Sequence, residues 1–185
     1  MNTAKHVLRY LKGTANRSLI FKRTEEPLHL IGYCDADWGA SDDRRSITGY
    51  GFQLCKSGPL VSWKSKKQPT VALSTCEAEY MSLASAVQEA KFLSHLLDDV
   101  VKNLFTSATL YCDNQGALAL AKNPTRHQRS KHIDIRYHFV RAEVQNKFLQ
   151  LMYIASKDNL ADIFTKPLSG PRMKTFIPTM LGNDV

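Results

Sequence analysis

Two short apolar runs, each followed at once by an aspartate, constrain the fold of this chain most strongly. Residues 28–34 form a near-continuous apolar run that ends at Asp35, and residues 108–112 form another that ends at Asp113. Such runs are typical of sheet strands that are covered on both faces. In α/β sheets, ligands bind in the crevice beyond the strand ends. For either aspartate alone, capping of the next turn is the simpler interpretation.

The rest of the chain alternates between strand-like and helix-like segments. Its 185 residues are enough for one domain with a hydrophobic core. The order of the segments predicts a mixed α/β sheet with helices on its faces. Further strands are predicted at 18–23, 48–55, 60–65, 71–73 and 148–154. Helices are predicted at 3–12, 75–97, 131–146 and 159–166, the last with Asp158 as its N-cap, and a short helix after the strand 108–112 ends at about residue 122.

Composition limits the classes of partner and compartment. Lys and Arg number 25 against 17 Asp and Glu, a net charge of +8, which suggests a polyanionic partner. The four cysteines form no C-x-x-C pair, and no His residues have zinc-ligand spacing around them, so they are interpreted as reduced thiols. No apolar stretch approaches a membrane span, and no secretory segment opens the chain, which predicts an intracellular protein without a membrane partner.

Glu79 is distinguished by its position on the predicted helix 75–97. Glu77 has capping-box spacing from Ser74 and falls on the polar side of the helix. An acid on an apolar stripe is unfavourable unless it is paired or bound to a metal, so helix geometry favours Glu79 over Glu77 as a functional residue. At about 100° per residue, Glu79 shares its side of the helix with Leu83, Ala86, Ala90, Leu93 and Leu97.

Two other aspartates are ambiguous from local pattern alone. Asp162 lies one turn into the predicted helix 159–166, where a negative charge also stabilises a helix N-terminus. Asp37 follows Asp35 by two residues in a polar loop, where solvated turn chemistry is the simpler account. Local pattern therefore leaves both roles open for Asp162 and favours a structural one for Asp37.

Four acidic motifs occur in a fixed order along the chain: 33–38 (YCDADW), 74–80 (STCEAEY), 111–115 (YCDNQ) and 159–162 (NLAD). Together they resemble the ribonuclease H domain of copia-type retrotransposon polyproteins. The resemblance covers roughly residues 28–170 and includes 46–50 (SITGY), 61–65 (VSWKS), 131–136 (KHIDIR) and 165–168 (TKPL). Residues 5–14 (KHVLRYLKGT) resemble the tail of the adjoining reverse transcriptase.

The resemblance implies an α/β, ribonuclease H-like fold with a five-stranded mixed sheet and helices on both faces. It also implies three parts: residues 1–24 as the tail of the reverse transcriptase or its connection segment, 25–170 as the ribonuclease H domain, and 171–185 as a C-terminal extension. Carried over motif by motif, the catalytic and metal-binding set is Asp35, Glu79, Asp113 and Asp162.

The implied activity is hydrolysis of the RNA strand of RNA/DNA hybrids by two metal ions during retrotransposon reverse transcription. Carboxylates are the ligands that Mg²⁺ prefers, with Mn²⁺ as the alternative ion. We expect Asp35 to bridge both ions, Glu79 and Asp113 to hold one, and Asp162 to complete the other. The implied partners are the hybrid and the reverse transcriptase of the same polyprotein, in a cytoplasmic virus-like particle or the nucleus.

Binding of a hybrid requires cations along both backbones. For each cation alone, a solvated surface is the simpler account. Trp63 is expected to pack in the core. Two basic runs supply the candidate contacts: Lys64, Lys66 and Lys67 after the predicted hairpin, and Lys122, Arg126, Arg129, Lys131, Arg136 and Arg141 around the helix 131–146.

One departure and two alternatives accompany this prediction. Many cellular ribonucleases H place a His between the last strand and the last catalytic helix, but the connection 155–158 holds none. His132 and His138 are the alternatives, although a surface or core role is simpler for both. An inactive, domesticated nucleic-acid-binding remnant is the second hypothesis, and DNA cutting or strand transfer is the third. Degenerate copies usually lose carboxylates, so the presence of all four favours the enzyme.

Overall fold

The computed structural model describes residues 2–102, 104–122 and 131–182, and the side chains of these residues except 2, 3 and 131–135. None of the helices in these ranges is long and apolar enough to cross a membrane. Two short 3₁₀ helices, Ser156–Asp158 and Leu160–Phe164, precede the last α-helix. The other elements are, in chain order, α1 (Asn2–Thr14), β1 (Leu30–Asp37), β2 (Ile47–Gln53), β3 (Leu60–Lys67), α2 (Thr75–Asp98), β4 (Ala108–Cys112), α3 (Gln115–Lys122), α4 (Lys131–Gln145), β5 (Leu149–Tyr153) and α5 (Gly170–Leu181).

The five strands form one mixed sheet in the order β3-β2-β1-β4-β5. β1 pairs antiparallel with β2, and β2 pairs antiparallel with β3. β4 is parallel to both β1 and β5, so the carboxyl ends of these three strands lie at one edge of the sheet. The predicted five-stranded mixed sheet is confirmed.

Apolar side chains are buried on both faces of the sheet, which confirms the predicted helices on both faces. The larger cluster packs α2, α3 and α4 on one face, and the smaller cluster packs the second 3₁₀ helix and α5 on the other. Leu30, Cys34, Leu110, Val87, Leu118 and Val140 belong to the larger cluster, and Leu60, Leu160 and Phe176 form the smaller one.

Helix α2 begins where the capping residues predict. The Ser74 hydroxyl accepts the backbone N–H of Glu77 at 3.1 Å, and the Glu77 carboxylate accepts the N–H of Leu73 at 2.9 Å. Further along the helix, the Ser82 hydroxyl donates to the backbone oxygen of Asp35 at 2.6 Å. This bond fixes α2 against β1 at the end of the parallel strands.

Two of the predicted strands are wrong. Residues 18–23 are irregular, because no strand lies beside them in the described chain and a single backbone bond, from Ile20 to Leu181 at 2.7 Å, links them to α5. Residues 71–73 are also irregular. Ala72 is buried there and its carbonyl accepts the indole N–H of Trp38 at 3.0 Å, so a side chain takes the place of a neighbouring strand.

The predicted helix 159–166 is wrong in type and in its cap. The segment forms a 3₁₀ helix, and Asn159 caps it instead of Asp158, since the Asn159 Oδ1 accepts the N–H of Ala161 at 3.2 Å. Asn159 is fully buried, and its Nδ2 donates to the backbone oxygen of Cys34 at 3.0 Å. This tertiary bond to β1, which sequence spacing does not reveal, holds the tighter turn in place.

Trp63 is exposed, which contradicts the expectation that it packs in the core. It lies on β3, an edge strand of the sheet, and 55% of its surface is exposed. Leu60, on the same strand, is buried instead. An edge strand has a neighbour on one side alone, so less surface is available to cover its side chains.

Candidate active site

Three of the four predicted carboxylates meet at the carboxyl edge of the parallel strands. Asp35 is the first residue after the parallel pairing of β1 with β4, which ends at Cys34 opposite Cys112, and Asp113 follows β4 directly. Oxygens of Asp35, Asp113 and Asp162 all lie within 4.8 Å of one another. This convergence gives three oxygen ligands to one small volume, as a hard divalent cation requires.

Asp162 reaches this point because the 3₁₀ helix lies directly on β2. The two elements meet at Gly49, where a Cβ atom would lie 2.6 Å from the Thr165 side chain and 3.0 Å from the Ala161 carbonyl oxygen. Gly49 also pairs with Asp35 across β1 and β2. A glycine is required at this position for the close approach that brings Asp162 to Asp35.

Glu79 is buried on α2, as its helix phase predicts, and Glu77 is partly exposed. The Glu79 Oε2 is buried and has no hydrogen-bond partner in the described part of the chain. Burial, followed by the nearby charges of Cys112, Asp35 and Asp113, raises the pKa of Glu79 to about 10. An unpartnered buried carboxylate oxygen is a position that a cation would stabilise.

Glu79 belongs to a second group of ligand atoms rather than to the first. Its carboxylate oxygen, the Cys112 sulfur and an Asp113 oxygen lie within 4.8 Å of one another. Among the described residues, Asp113 is therefore the carboxylate shared by the two groups. The expectation that Asp35 bridges two ions stays a prediction.

Two cations that sequence reasoning missed hold the Asp162 carboxylate. The Lys166 Nζ lies 2.7 Å from Asp162 Oδ1 and 3.8 Å from Asp35 Oδ2, and Arg172 of α5 donates to Asp162 Oδ2. Arg172 also donates to the backbone oxygen of Ser156 at 2.6 Å, and the Ser156 hydroxyl donates to Asp113. The i,i+4 spacing of Asp162 and Lys166 was a usable signal, whereas Arg172 follows several helix breakers and gave none.

The environment of Asp35 raises the pKa of its carboxyl group in the absence of metal. Burial raises its pKa to about 6, against the lowering effects of a hydrogen bond from the Thr165 hydroxyl and of the Lys166 charge. Asp162 and Asp113 add like charge and raise the pKa further. The three clustered aspartates therefore carry more negative charge than Lys166 balances.

Removal of the Arg172 side chain is expected to destabilise the chain. Arg172→Ala deletes a charged hydrogen bond to fully buried Asp162, so we expect the free energy of unfolding to fall by about 2 kcal/mol. Urea unfolding in EDTA measures this change. Lys174→Ala is the matched control, since it removes one positive charge from an exposed position of the same helix. Equal effects of the two variants would contradict the role of Arg172.

The other candidate residues divide into those the structure places and those it does not describe. Asp37 is the last residue of β1 and belongs to neither ligand group. His138 is exposed on α4, and Ser156 rather than a His bonds Asp113 from the connection after β5. Arg126 and Arg129, and the side chains of Lys131 and His132, lie outside the described residues.

Four of the basic candidates line one cavity, whereas Lys122 and Arg141 do not. Lys64, Lys66 and Lys67 from β3 and Arg136 from α4 surround a volume of about 260 Å³ against α2. The Arg136 NH1 is buried and has no hydrogen-bond partner in the described residues, and Lys67 pairs with Asp43 at 3.3 Å. Four cations around one cavity make it suitable for an anionic group.

The chain is similar over almost its whole length to retrotransposon polyproteins. It is 41% identical over 177 residues to the retrovirus-related Pol polyprotein from transposon RE1 of Arabidopsis thaliana, which is 95% of this chain and 12% of that protein. It is 42% identical over 171 residues to the corresponding polyprotein from transposon TNT 1-94 of Nicotiana tabacum, 92% of this chain and 12% of that one. The chain thus spans about an eighth of the length of these two relatives. No protein-family model matches it.

Solved structures share the fold at low sequence identity. The N-terminal ribonuclease H domain of Rv2228c from Mycobacterium tuberculosis aligns with a TM-score of 0.54 at 10% identity, over 80% of this chain and 98% of that one. Ribonuclease H1 from Halobacterium salinarum gives 0.52 at 16%, over 74% and 94%. The LC11 ribonuclease H1, solved in complex with an RNA/DNA hybrid, gives 0.54 at 13%, over 74% and 93%.

Sequence identity to the polyproteins and the shared architecture lead to one assignment. The chain belongs to the Pol polyproteins of copia-type retrotransposons, and it has the fold of a ribonuclease H domain.

Proposed function

We propose that the chain is a metal-dependent endoribonuclease that hydrolyses the RNA strand of RNA/DNA hybrids. The observation that carries this proposal is the convergence of Asp35, Asp113 and Asp162 beside buried Glu79 at the edge of the sheet. The family and fold support a nuclease of the ribonuclease H type, and a neighbour of the same fold has been solved with a hybrid.

The residues present fit a pair of Mg²⁺ or Mn²⁺ ions. All four candidate donors are carboxylates, Glu79 has an unpartnered buried oxygen, and the other three have oxygens within 4.8 Å of one another. In our proposal Asp35, Glu79, Asp113 and Asp162 would together hold the two ions. When bound, the two ions supply an activated water and stabilise the charge at phosphorus and on the leaving oxygen.

The chain's own residues position these carboxylates before any ion binds. The Thr165 hydroxyl orients Asp35, the Ser156 hydroxyl orients Asp113, and Arg172 with Lys166 holds Asp162. Positioned ligands reduce the reorganisation needed on binding, which is the role expected of groups that orient metal ligands. Because Lys166 already bonds Asp162, the ion that Asp162 binds must compete with that ammonium group.

The basic cavity is proposed to take one backbone phosphate of the hybrid. Lys64, Lys66 and Arg136 supply the positive charge, and the unpartnered Arg136 NH1 supplies a donor without a protein acceptor. Phosphate contacts of this kind position a duplex without reading its sequence.

Loss of a cation from the cavity is expected to weaken binding of every hybrid sequence alike. Affinity falls with salt, so the slope of log affinity against log salt is negative. For Lys66→Ala or Arg136→Ala we expect the magnitude of this slope to be smaller by about 1, because one phosphate contact is lost. Fluorescence anisotropy with a labelled hybrid across a salt series measures it. Lys56→Ala removes an exposed cation outside the cavity and serves as control. An unchanged slope in both cavity variants would refute the proposal for the cavity.

The activity itself is tested with three labelled duplexes: RNA/DNA hybrid, duplex DNA and duplex RNA. We expect loss of the RNA strand of the hybrid alone, in Mg²⁺ and not in EDTA. Binding of the hybrid without cutting would instead support the inactive, domesticated remnant. Cutting of duplex DNA would support the strand-transfer alternative.

We further propose that residues 1–24 are the tail of the reverse transcriptase, that 25–170 are the ribonuclease H domain, and that the polymerase is a partner. The apolar side chains of α1 support a docking role, since Val7, Leu8 and Leu11 are each at least half exposed. The contacts of Arg172 indicate that the segment 171–185 also contributes to the site.

A further inference from the structure

A buried thiol lies beneath the carboxylates and plays no part in the proposed hydrolysis. Cys112 is the last residue of β4 and is fully buried. Its sulfur lies within 4.8 Å of oxygens of both Glu79 and Asp113, so the second ligand group is one sulfur and two oxygens. The first group, of Asp35, Asp113 and Asp162, offers oxygen alone. The second group can therefore also bind a thiophilic metal, for which the first group has no sulfur ligand.

Glu79 supplies an independent sign that this group favours a cation. It is 7% exposed, and its Oε2 is buried without a hydrogen-bond partner in the described residues. A buried carboxylate oxygen in this condition is unfavourable unless a positive charge reaches it. The described ion pairs of the site place Lys166 and Arg172 on Asp162, and none of them reaches Glu79.

A backbone hydrogen bond orients the Cys112 sulfur. The backbone N–H of Asn114 donates to it at 3.4 Å. A donor of this kind orients a sulfur ligand and tunes its charge. Cys55 is also buried but lies near the β2–β3 turn, in neither ligand group, and behaves as an ordinary small apolar residue.

We propose that Glu79, Cys112 and Asp113 form a site for a thiophilic divalent cation of the Zn²⁺ and Cd²⁺ class, which excludes Mg²⁺ from the same two carboxylates. Zn²⁺ accepts one thiolate and two carboxylates in tetrahedral geometry, with water as the fourth ligand. Mg²⁺ requires near-octahedral oxygen ligation. The Cys112 proton passes to solvent on binding. Cysteine spacing could not predict the site, because its other ligands are carboxylates from α2 and from the residue after β4.

The test measures binding of Zn²⁺ to the full chain without nucleic acid, so its outcome is independent of whether the chain cuts hybrids. X-ray absorption of the chain loaded with one equivalent of Zn²⁺ should show one sulfur ligand at about 2.3 Å among lighter ligands. A shell of oxygen and nitrogen alone would overturn the proposal, and this measurement needs no variant to fold.

Variants then test whether the sulfur ligand is that of Cys112. By competition with a chromophoric chelator, Cys112→Ser and Glu79→Gln should each weaken Zn²⁺ binding by at least about 100-fold, since each removes a direct ligand. Cys55→Ser should leave it unchanged. Titration with Cd²⁺ should give the near-ultraviolet thiolate band in the wild-type chain and in Cys55→Ser but not in Cys112→Ser. An unchanged affinity and band in folded Cys112→Ser would refute the site.

Discussion

Replacement of Glu79 by glutamine is expected to lower kcat on an RNA/DNA hybrid by more than about 100-fold in Mg²⁺. Glutamine keeps the size of the side chain and removes the charge that a cation would need. The Glu79 carboxylate accepts a backbone hydrogen bond from Ala36, but its Oε2 is buried without a partner among the described residues and is free to bind a cation. Single-turnover cleavage of a labelled hybrid measures the effect separately from product release.

Glu77→Gln is the matched control for this prediction. It makes the same chemical change two residues away, where the carboxylate bonds the Leu73 N–H at the start of α2. We expect most of the cleavage rate to remain and the free energy of unfolding to fall by no more than about 1 kcal/mol. A dead Glu77→Gln with an active Glu79→Gln would show that the assignment of the two acids is reversed.

The sequence predicted the central strands and the burial of Glu79 because both depend on local periodicity. The apolar runs before Asp35 and Asp113 have the length and composition of covered strands, and these strands are β1 and β4. The helix phase of Glu79 follows from a regular rotation per residue over α2. Its burial is therefore encoded within a single element.

The groups that hold the site together could not be predicted in this way. Arg172 reaches Asp162 from α5, and Asn159 bonds Cys34 across the sheet edge. Each is a contact between elements whose relative positions the sequence does not state. The predicted α-helix at 159–166 is wrong for the same reason, because a tertiary hydrogen bond and packing on Gly49 favour the tighter 3₁₀ turn.

The cations of the cavity could be predicted in part: their charge was visible in the sequence, but their arrangement around a cavity was not. A run of Lys64, Lys66 and Lys67 was visible as charge, but residues two apart on a strand share a face and residues one apart do not. The structure places all three beside Arg136, which is far away in sequence. Charge could therefore indicate a polyanion, while the cavity that we propose for a phosphate depends on the packing of α4 against α2, which places Arg136 near the lysines of β3.

The metal-free chain is expected to lose stability as the pH rises from about 4 to about 8, contrary to the usual behaviour of carboxylates. The folded pKa values are raised, to about 6 for Asp35 and about 10 for Glu79, mainly by burial. The folded state therefore retains protons that the unfolded state releases. The contribution of these two groups to the free energy of unfolding is complete when the pH is below their unfolded pKa values of 3.8 and 4.5. It is lost as the pH rises through their folded pKa values.

Urea unfolding in EDTA at several pH values measures this trend. Each proton retained in the folded state gives a slope of about 1.4 kcal/mol per pH unit within its window. Glu79→Gln removes one such proton, so its curve should be shallower, and the variant should be more stable than the wild-type chain at about pH 8. Mg²⁺ should restore stability at that pH, because a bound cation stabilises the ionised carboxylates. Stability that rises with pH in EDTA, with no gain from Glu79→Gln, would contradict the buried, protonated state of Glu79 and the metal role assigned to it.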